Sequence, residues 1–151
     1  MTIEPTDTTT ATGAYTGGCA CGAIRFEIAD APLVMNDCQC RDCQRCSGTG
    51  HGSYLTFPSR TNVRLVGDAR QWDVTGDGGT VKRHAFCSNC GSPVYLTFPA
   101  MPALFVVHAA SLDDPSRYQP QFVTYRVRSH SWDFVDPALP RFDKMPPMQS
   151  T

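Results

Sequence analysis

The chain contains no apolar run approaching membrane-spanning length, which excludes a membrane-spanning helix. It has no excess of either charge. The net charge is −1 with acids and bases intermixed, so the basic footprint of a nucleic-acid binder is missing. Residues Met1 to Gly13 (MTIEPTDTTTATG) are polar and Thr-rich, with neither a basic start nor an apolar stretch, and do not resemble a secretory signal. The expectation is therefore a cytoplasmic protein whose thiols stay reduced. Stretches free of helix breakers are also scarce. Twelve prolines and twelve glycines are spread over 151 residues, which argues against long helices. A chain of this length can bury one core and is expected to form one domain.

What the sequence does have is a series of short alternating or apolar runs between turn signals. Ala23 to Ile28, Ser53 to Phe57, Asn62 to Val66, Arg70 to Val74, Val81 to Phe86, Val94 to Phe98, Leu104 to Ala109 and Gln121 to Val127 each carry a strand pattern. Val81 to Phe86 and Val94 to Phe98 flank Cys87 to Cys90, which suggests a hairpin with cysteines at its tip. Only Arg41 to Cys46 looks able to form a helical turn. Many short strands with frequent turns imply an all-β domain. The expected limits are one domain over residues 14–143, between disordered tails at 1–13 and 144–151. Tyr54, Phe57, Trp72, Phe86, Tyr95, Phe98, Phe105 and Phe122 fall at strand spacing and are expected in the core.

Eight cysteines fall into three clusters: Cys19 and Cys21; Cys38, Cys40, Cys43 and Cys46; Cys87 and Cys90. In a C-x-C pair on extended chain both side chains share a face. In a C-x-x-C pair a tight turn brings the sulfurs together, and Gly91 supplies the permissive backbone such turns use. Thiolates are soft ligands, and a structural zinc takes four of them in a tetrahedron. Disulfides would fit the even count but not a reducing compartment. An iron–sulfur cluster would fit four close cysteines but not their spacing, which lacks the ferredoxin pattern. Zinc is favoured, with two ions per chain. The local cluster shares one metal, which leaves Cys19, Cys21, Cys87 and Cys90 for a second that clips distant parts of the chain. Cys46 is a possible fourth ligand of the local site. If only Cys38, Cys40 and Cys43 bind, that zinc keeps a free position, as catalytic zinc sites do. The expectation is that Cys46 points away, on the far side of a helical turn.

Three segments carry a family resemblance. Gly17-Gly18-Cys19-Ala20-Cys21-Gly22 resembles an opening G-x-C-x-C-G. Cys38 to Arg45 followed by Ser47-Gly48 resembles C-x-C-x-x-C-x-R. Arg83 to Tyr95 (RHAFCSNCGSPVY) resembles F-C-x-x-C-G-x-x-hydrophobic. Trp132-Asp133 and Leu139-Pro140-Arg141-Phe142 are similar to the corresponding C-terminal end. Together these resemble the glutathione-dependent formaldehyde-activating enzyme family, which includes centromere protein V, over about Tyr15 to Pro146. The resemblance implies a zinc-containing β fold similar to Mss4. It implies a structural zinc on Cys19, Cys21, Cys87 and Cys90, and a catalytic zinc on Cys38, Cys40 and Cys43. It further implies carbon–sulfur lyase chemistry, the condensation of formaldehyde with glutathione to S-hydroxymethylglutathione. Glutathione or a similar thiol, and formaldehyde or another small aldehyde, are then the expected partners. The competing expectation is a non-catalytic zinc-stabilised β domain that binds a partner. Arg41 and Arg45 are candidates to clamp a substrate carboxylate, because guanidinium forks match that geometry. His51 is a candidate to approach the open zinc or move a proton. Lys82, Arg83 and His84 precede the Cys87 turn and are expected to offset the charge of the four-thiolate zinc.

Overall fold

In the computed structural model, residues 13–147 are described. The expectations for residues 1–12 and 148–151 lie outside the described residues. Among the described residues, ten strands and one α-helix follow in order: β1 (Tyr15–Gly18), β2 (Arg25–Ile28), β3 (Val34–Cys38), α1 (Arg41–Ser47), β4 (Gly52–Phe57), β5 (Val63–Val66), β6 (Arg70–Thr75), β7 (Val81–Phe86), β8 (Pro93–Thr97), β9 (Phe105–His108) and β10 (Phe122–Thr124). The expected all-β class holds, and α1 occupies the stretch able to form a helical turn. Among the described residues, no helix is long and apolar enough to cross a membrane.

The strands form two sheets. One is three-stranded, β1-β2-β5, and the other seven-stranded, β10-β3-β4-β9-β8-β7-β6. All pairings are antiparallel except that of β10 with β3. The core lies between the sheets. Ile24, Phe26 and Ile28 from one side meet Leu55, Phe57, Tyr95, Phe105 and Val107 from the other. Strand periodicity then forces the intervening residues onto the opposite face of the large sheet. There Tyr54, Leu96 and Val106 form a second buried cluster with Cys38, Cys40 and Cys43. Helix α1 lies across this second face, contacting β4. It starts from Cys40, whose sulfur accepts the Cys43 N–H, and stops at Gly48, whose N–H bonds the Gln44 carbonyl.

Two strands have no counterpart in the sequence reading. β1 (YTGG) holds too much glycine for a strand pattern, and β3 (VMNDC) carries polar Asn36 and Asp37. Conversely, the run Gln121 to Val127 is strand only to Thr124, because Tyr125 turns into the left-handed region with φ 59°. Trp72 is a correction to the expected core. It is 42% exposed and stacks on His84, because β6 is the outermost strand of its sheet.

Leu55 sits at the centre of β4 with no exposure, paired with Met35 and Val107. Leu55→Ala is expected to cost about 2–5 kcal/mol, the range for emptying a packed site. Chemical denaturation measures it, and a loss below about 1 kcal/mol would contradict this placement of the core.

Candidate metal centres

The turn after β1 and the turn after β7 meet each other. Their cysteines, Cys19, Cys21, Cys87 and Cys90, place four sulfurs within 4.8 Å of one another. Cys19 and Cys21 are 3.6 Å apart, and Cys21 and Cys87 3.7 Å. Tetrahedral zinc with Zn–S bonds of about 2.3 Å requires sulfur separations of about 3.8 Å, so the donor set fits one ion. Backbone bonds fix both turns. Cys19 N–H donates to the Ile24 carbonyl at 3.1 Å, and Gly91 N–H to the Cys87 carbonyl at 2.8 Å. Gly91 adopts φ 78°, as the tight turn predicts. The Ile24 N–H also points at the Cys19 sulfur, 3.2 Å away. The Ser92 hydroxyl, then its backbone, holds the Cys90 thiol down to about 5.

The second group joins Cys38, at the end of β3, with Cys40 and Cys43 at the start of α1, and all three are buried. Three thiols packed this closely cannot all ionise without a cation. Hydrogen bonds from Cys38 and Cys43 hold Cys40 far below the ordinary thiol range, with its charge favoured further by Lys82. Cys43 is pushed far above that range, first by its contacts with Cys38 and Cys40 and then by burial. One thiolate and two thiols is thus the arrangement that protons alone allow. A bound cation that favours sulfur would convert all three, and this donor set fits zinc. Lys82 compensates this group and not the expected four-cysteine one, because β7 carries its Nζ to 3.7 Å from the Cys40 sulfur and 3.3 Å from Asp42. The Tyr54 hydroxyl lies buried beside Cys43 without a partner of hydrogen-bonding geometry among the described residues, and burial followed by the neighbouring sulfurs keeps it protonated.

A polar scaffold holds the Cys38–Cys40 segment. Gln39 N–H donates to the Thr124 carbonyl of β10 at 2.9 Å. The Gln44 amide donates to the carbonyls of Gln39 at 2.7 Å and Arg128 at 3.0 Å. The Gln39 amide reaches Asp133 at 3.1 Å. Asp37 accepts from the hydroxyls of Ser53 and Tyr118, both at 2.7 Å. Tyr125, packed against the cysteines, holds a left-handed conformation that costs a non-glycine residue about 1–2 kcal/mol.

The other singled-out residues divide. His51 is engaged by Asp133, with Nδ1 2.8 and 2.9 Å from its two carboxylate oxygens, and its other nitrogen is 4.0 Å from Asp37. Gly50 permits this approach, because a Cβ there would meet the Asp133 side chain at 2.3 Å. Arg41 bonds Gln44 on its own helix. Arg45 is exposed and lines an open pocket of about 200 Å³ with Cys46, Trp72, His84, Ala85, Phe86, Gly91 and Pro93. Trp132 stacks on His130 with rings 4.9 Å apart and is 60% exposed. Arg83 pairs with Asp73 at the surface. Cys46 stands outside the three-cysteine group and instead joins His84 and His108. His108 was not singled out from sequence. Its signal was a lone histidine inside the apolar run LFVVHA, where a buried imidazole needs a partner.

These features define a β domain whose cysteine groups could hold metal ions. A family model described as glutathione-dependent formaldehyde-activating enzyme matches residues 14–128, and the chain belongs to that family. A Halomonas elongata protein, provisionally named a glutathione-dependent formaldehyde-activating enzyme, is 29% identical over 113 residues, covering 71% of each chain. A crystal structure of a Rhodobacter sphaeroides protein, a structural-genomics target, aligns with TM-score 0.52 and 19% identity. It covers 84% of this chain and 98% of that one, and shows the shared fold.

Cys87→Ser is expected to lower zinc content by one ion per chain and to unfold or aggregate the domain, since metal binding at such a site is part of folding. Metal analysis with thermal unfolding checks this. Unchanged zinc content and melting temperature would contradict the clip.

Proposed function

We propose that this protein is a zinc-dependent carbon–sulfur lyase-type enzyme acting on adducts of glutathione, or a similar thiol, with formaldehyde or another small aldehyde. Its chemistry resembles S-hydroxymethylglutathione synthesis. The observation that carries the proposal is the buried group Cys38, Cys40 and Cys43, three sulfurs from which Cys46 stands apart. The family match and the name of the Halomonas relative support the same substrates. In this reading Cys19, Cys21, Cys87 and Cys90 hold a structural zinc, Cys38, Cys40 and Cys43 hold the catalytic one, and a single domain over residues 14–143 works in the cytoplasm.

A zinc ion in the three-cysteine group supplies the means to keep a substrate thiol as its thiolate at neutral pH. In the reaction the sulfur lone pair adds to the carbonyl carbon and the carbon–oxygen π pair moves to oxygen. The proton given up by the thiol ends on that oxygen. The chain's own residues favour this outcome in three ways. Lys82 offsets the negative charge of the sulfurs, 3.7 Å from Cys40. The protonated Tyr54 hydroxyl, buried and unpartnered, is the donor placed to meet an oxygen that enters the cluster. Arg45, exposed on the same helix as Cys43, lines the pocket it shares with Cys46 and His84; outside every ion pair among the described residues, it is available to a substrate carboxylate. Arg41 and His51 act as positioning residues, through Gln44 and Asp133 respectively.

Calorimetry and exchange NMR test the proposal on zinc-replete protein. Glutathione binding and faster adduct exchange with formaldehyde are expected. Cys40→Ser should abolish both, and Tyr54→Phe should slow exchange while leaving binding intact. Arg45→Ala should weaken glutathione binding about tenfold, the effect of losing one charge-assisted contact. If wild-type protein neither binds glutathione nor accelerates exchange, the partner-binding reading takes its place.

A further inference from the structure

Cys46, His84 and His108 come from three separate elements. Cys46 lies on α1, His84 on β7 and His108 on β9, with β8 between the two histidine strands. Strand alternation sends both imidazoles to the second face of the large sheet, His84 beside Leu96 and His108 beside Tyr54. Helix α1 lies over that face. Both imidazoles turn a nitrogen to the same sulfur: His84 Nδ1 is 3.6 Å and His108 Nε2 3.9 Å from Cys46 Sγ. The three donor atoms lie within 4.8 Å of one another.

We propose that Cys46, His84 and His108 form a third metal site, a His2Cys centre for a zinc-class divalent ion, distinct from both cysteine-only groups. Tetrahedral bonds of about 2.3 Å to sulfur and 2.0–2.1 Å to imidazole nitrogen require sulfur–nitrogen separations of about 3.6 Å. The observed separations are 3.6 and 3.9 Å, so little movement is needed to accept an ion. The same measure describes the four-cysteine clip, where separations of 3.6 and 3.7 Å stand against about 3.8 Å. Mixed imidazole and thiolate donors suit zinc and copper and disfavour magnesium or calcium. Two of the three donors border a pocket, and His108 lies buried behind them. Cys46 and His84 line the pocket of about 200 Å³, while Trp72 stacks on the His84 ring at 4.7 Å and fixes its plane. His84 is 2% exposed, and its remaining nitrogen has no hydrogen-bond partner among the described residues, so its one engaged edge is the one facing Cys46. Three protein donors beside a solvent pocket leave room for water or a small ligand.

The test uses the full chain, reconstituted with Zn2+ alone. Metal analysis should give three ions per chain. His84→Gln and His108→Gln should each give two, with the three-cysteine site retained, and Cys43→Ser should lose a different ion and keep this one. Nitrogen-15 spectra of the wild-type histidines provide a readout that needs no variant. Both His84 and His108 should shift together as Zn2+ is added, in one saturable step. Saturation at two ions with both histidines unmoved would overturn the proposal. So would loss of an ion in Cys46→Ala but in neither histidine variant, because Cys46 would then serve the three-cysteine group.

Discussion

Sulfur atoms brought to contact distance must stay protonated or share a cation, and the architecture depends on that constraint at the junction of its two sheets. The β1–β2 turn belongs to the small sheet and the β7–β8 turn to the large one. The four sulfurs they contribute meet more than sixty residues apart along the chain, at the edge of the shared core. A metal there would close a long loop that apolar contacts alone would have to order, where a clip stabilises most in principle. The exposed ion pairs, such as Arg25 with Asp113, add little by comparison, because solvent screens them.

The two faces of the large sheet divide the labour. One face, bearing Leu55, Phe57, Tyr95, Phe105 and Val107, packs against the small sheet and holds the fold together. The other receives every intervening residue and is covered by α1 rather than by a second sheet. A seven-residue helix cannot bury a whole sheet face, so polar donors and thiols gather there beside an open pocket. The buried carboxamides of Gln39 and Gln44 and the carboxylates of Asp37 and Asp133 fix the chain around them.

Much of this was legible in the sequence, because the determinants were local. The C-x-C and C-x-x-C spacings marked four cysteines whose sulfurs the fold brings together, and the runs around Cys87 to Cys90 marked the hairpin that carries two of them. What stayed hidden depended on pairing across the sheet. β3 is a strand because β4 and β10 flank it, although Asn36 and Asp37 spoil its pattern. Cys46 reads as one of four neighbouring cysteines. Its partners, His84 and His108, lie 38 and 62 positions away and reach it only through strand order. His51 is likewise held by Asp133, 82 positions on, a partner that only the fold brings to it.

The central claim is that Cys38, Cys40 and Cys43 hold a zinc ion able to accept a substrate sulfur. Anomalous diffraction at the zinc edge, from crystals grown with glutathione, tests it most directly. The account predicts an ion bonded to these three sulfurs at about 2.3 Å, with the glutathione sulfur as its fourth ligand. An ion closed by four protein sulfurs including Cys46, with no glutathione bound, would contradict it.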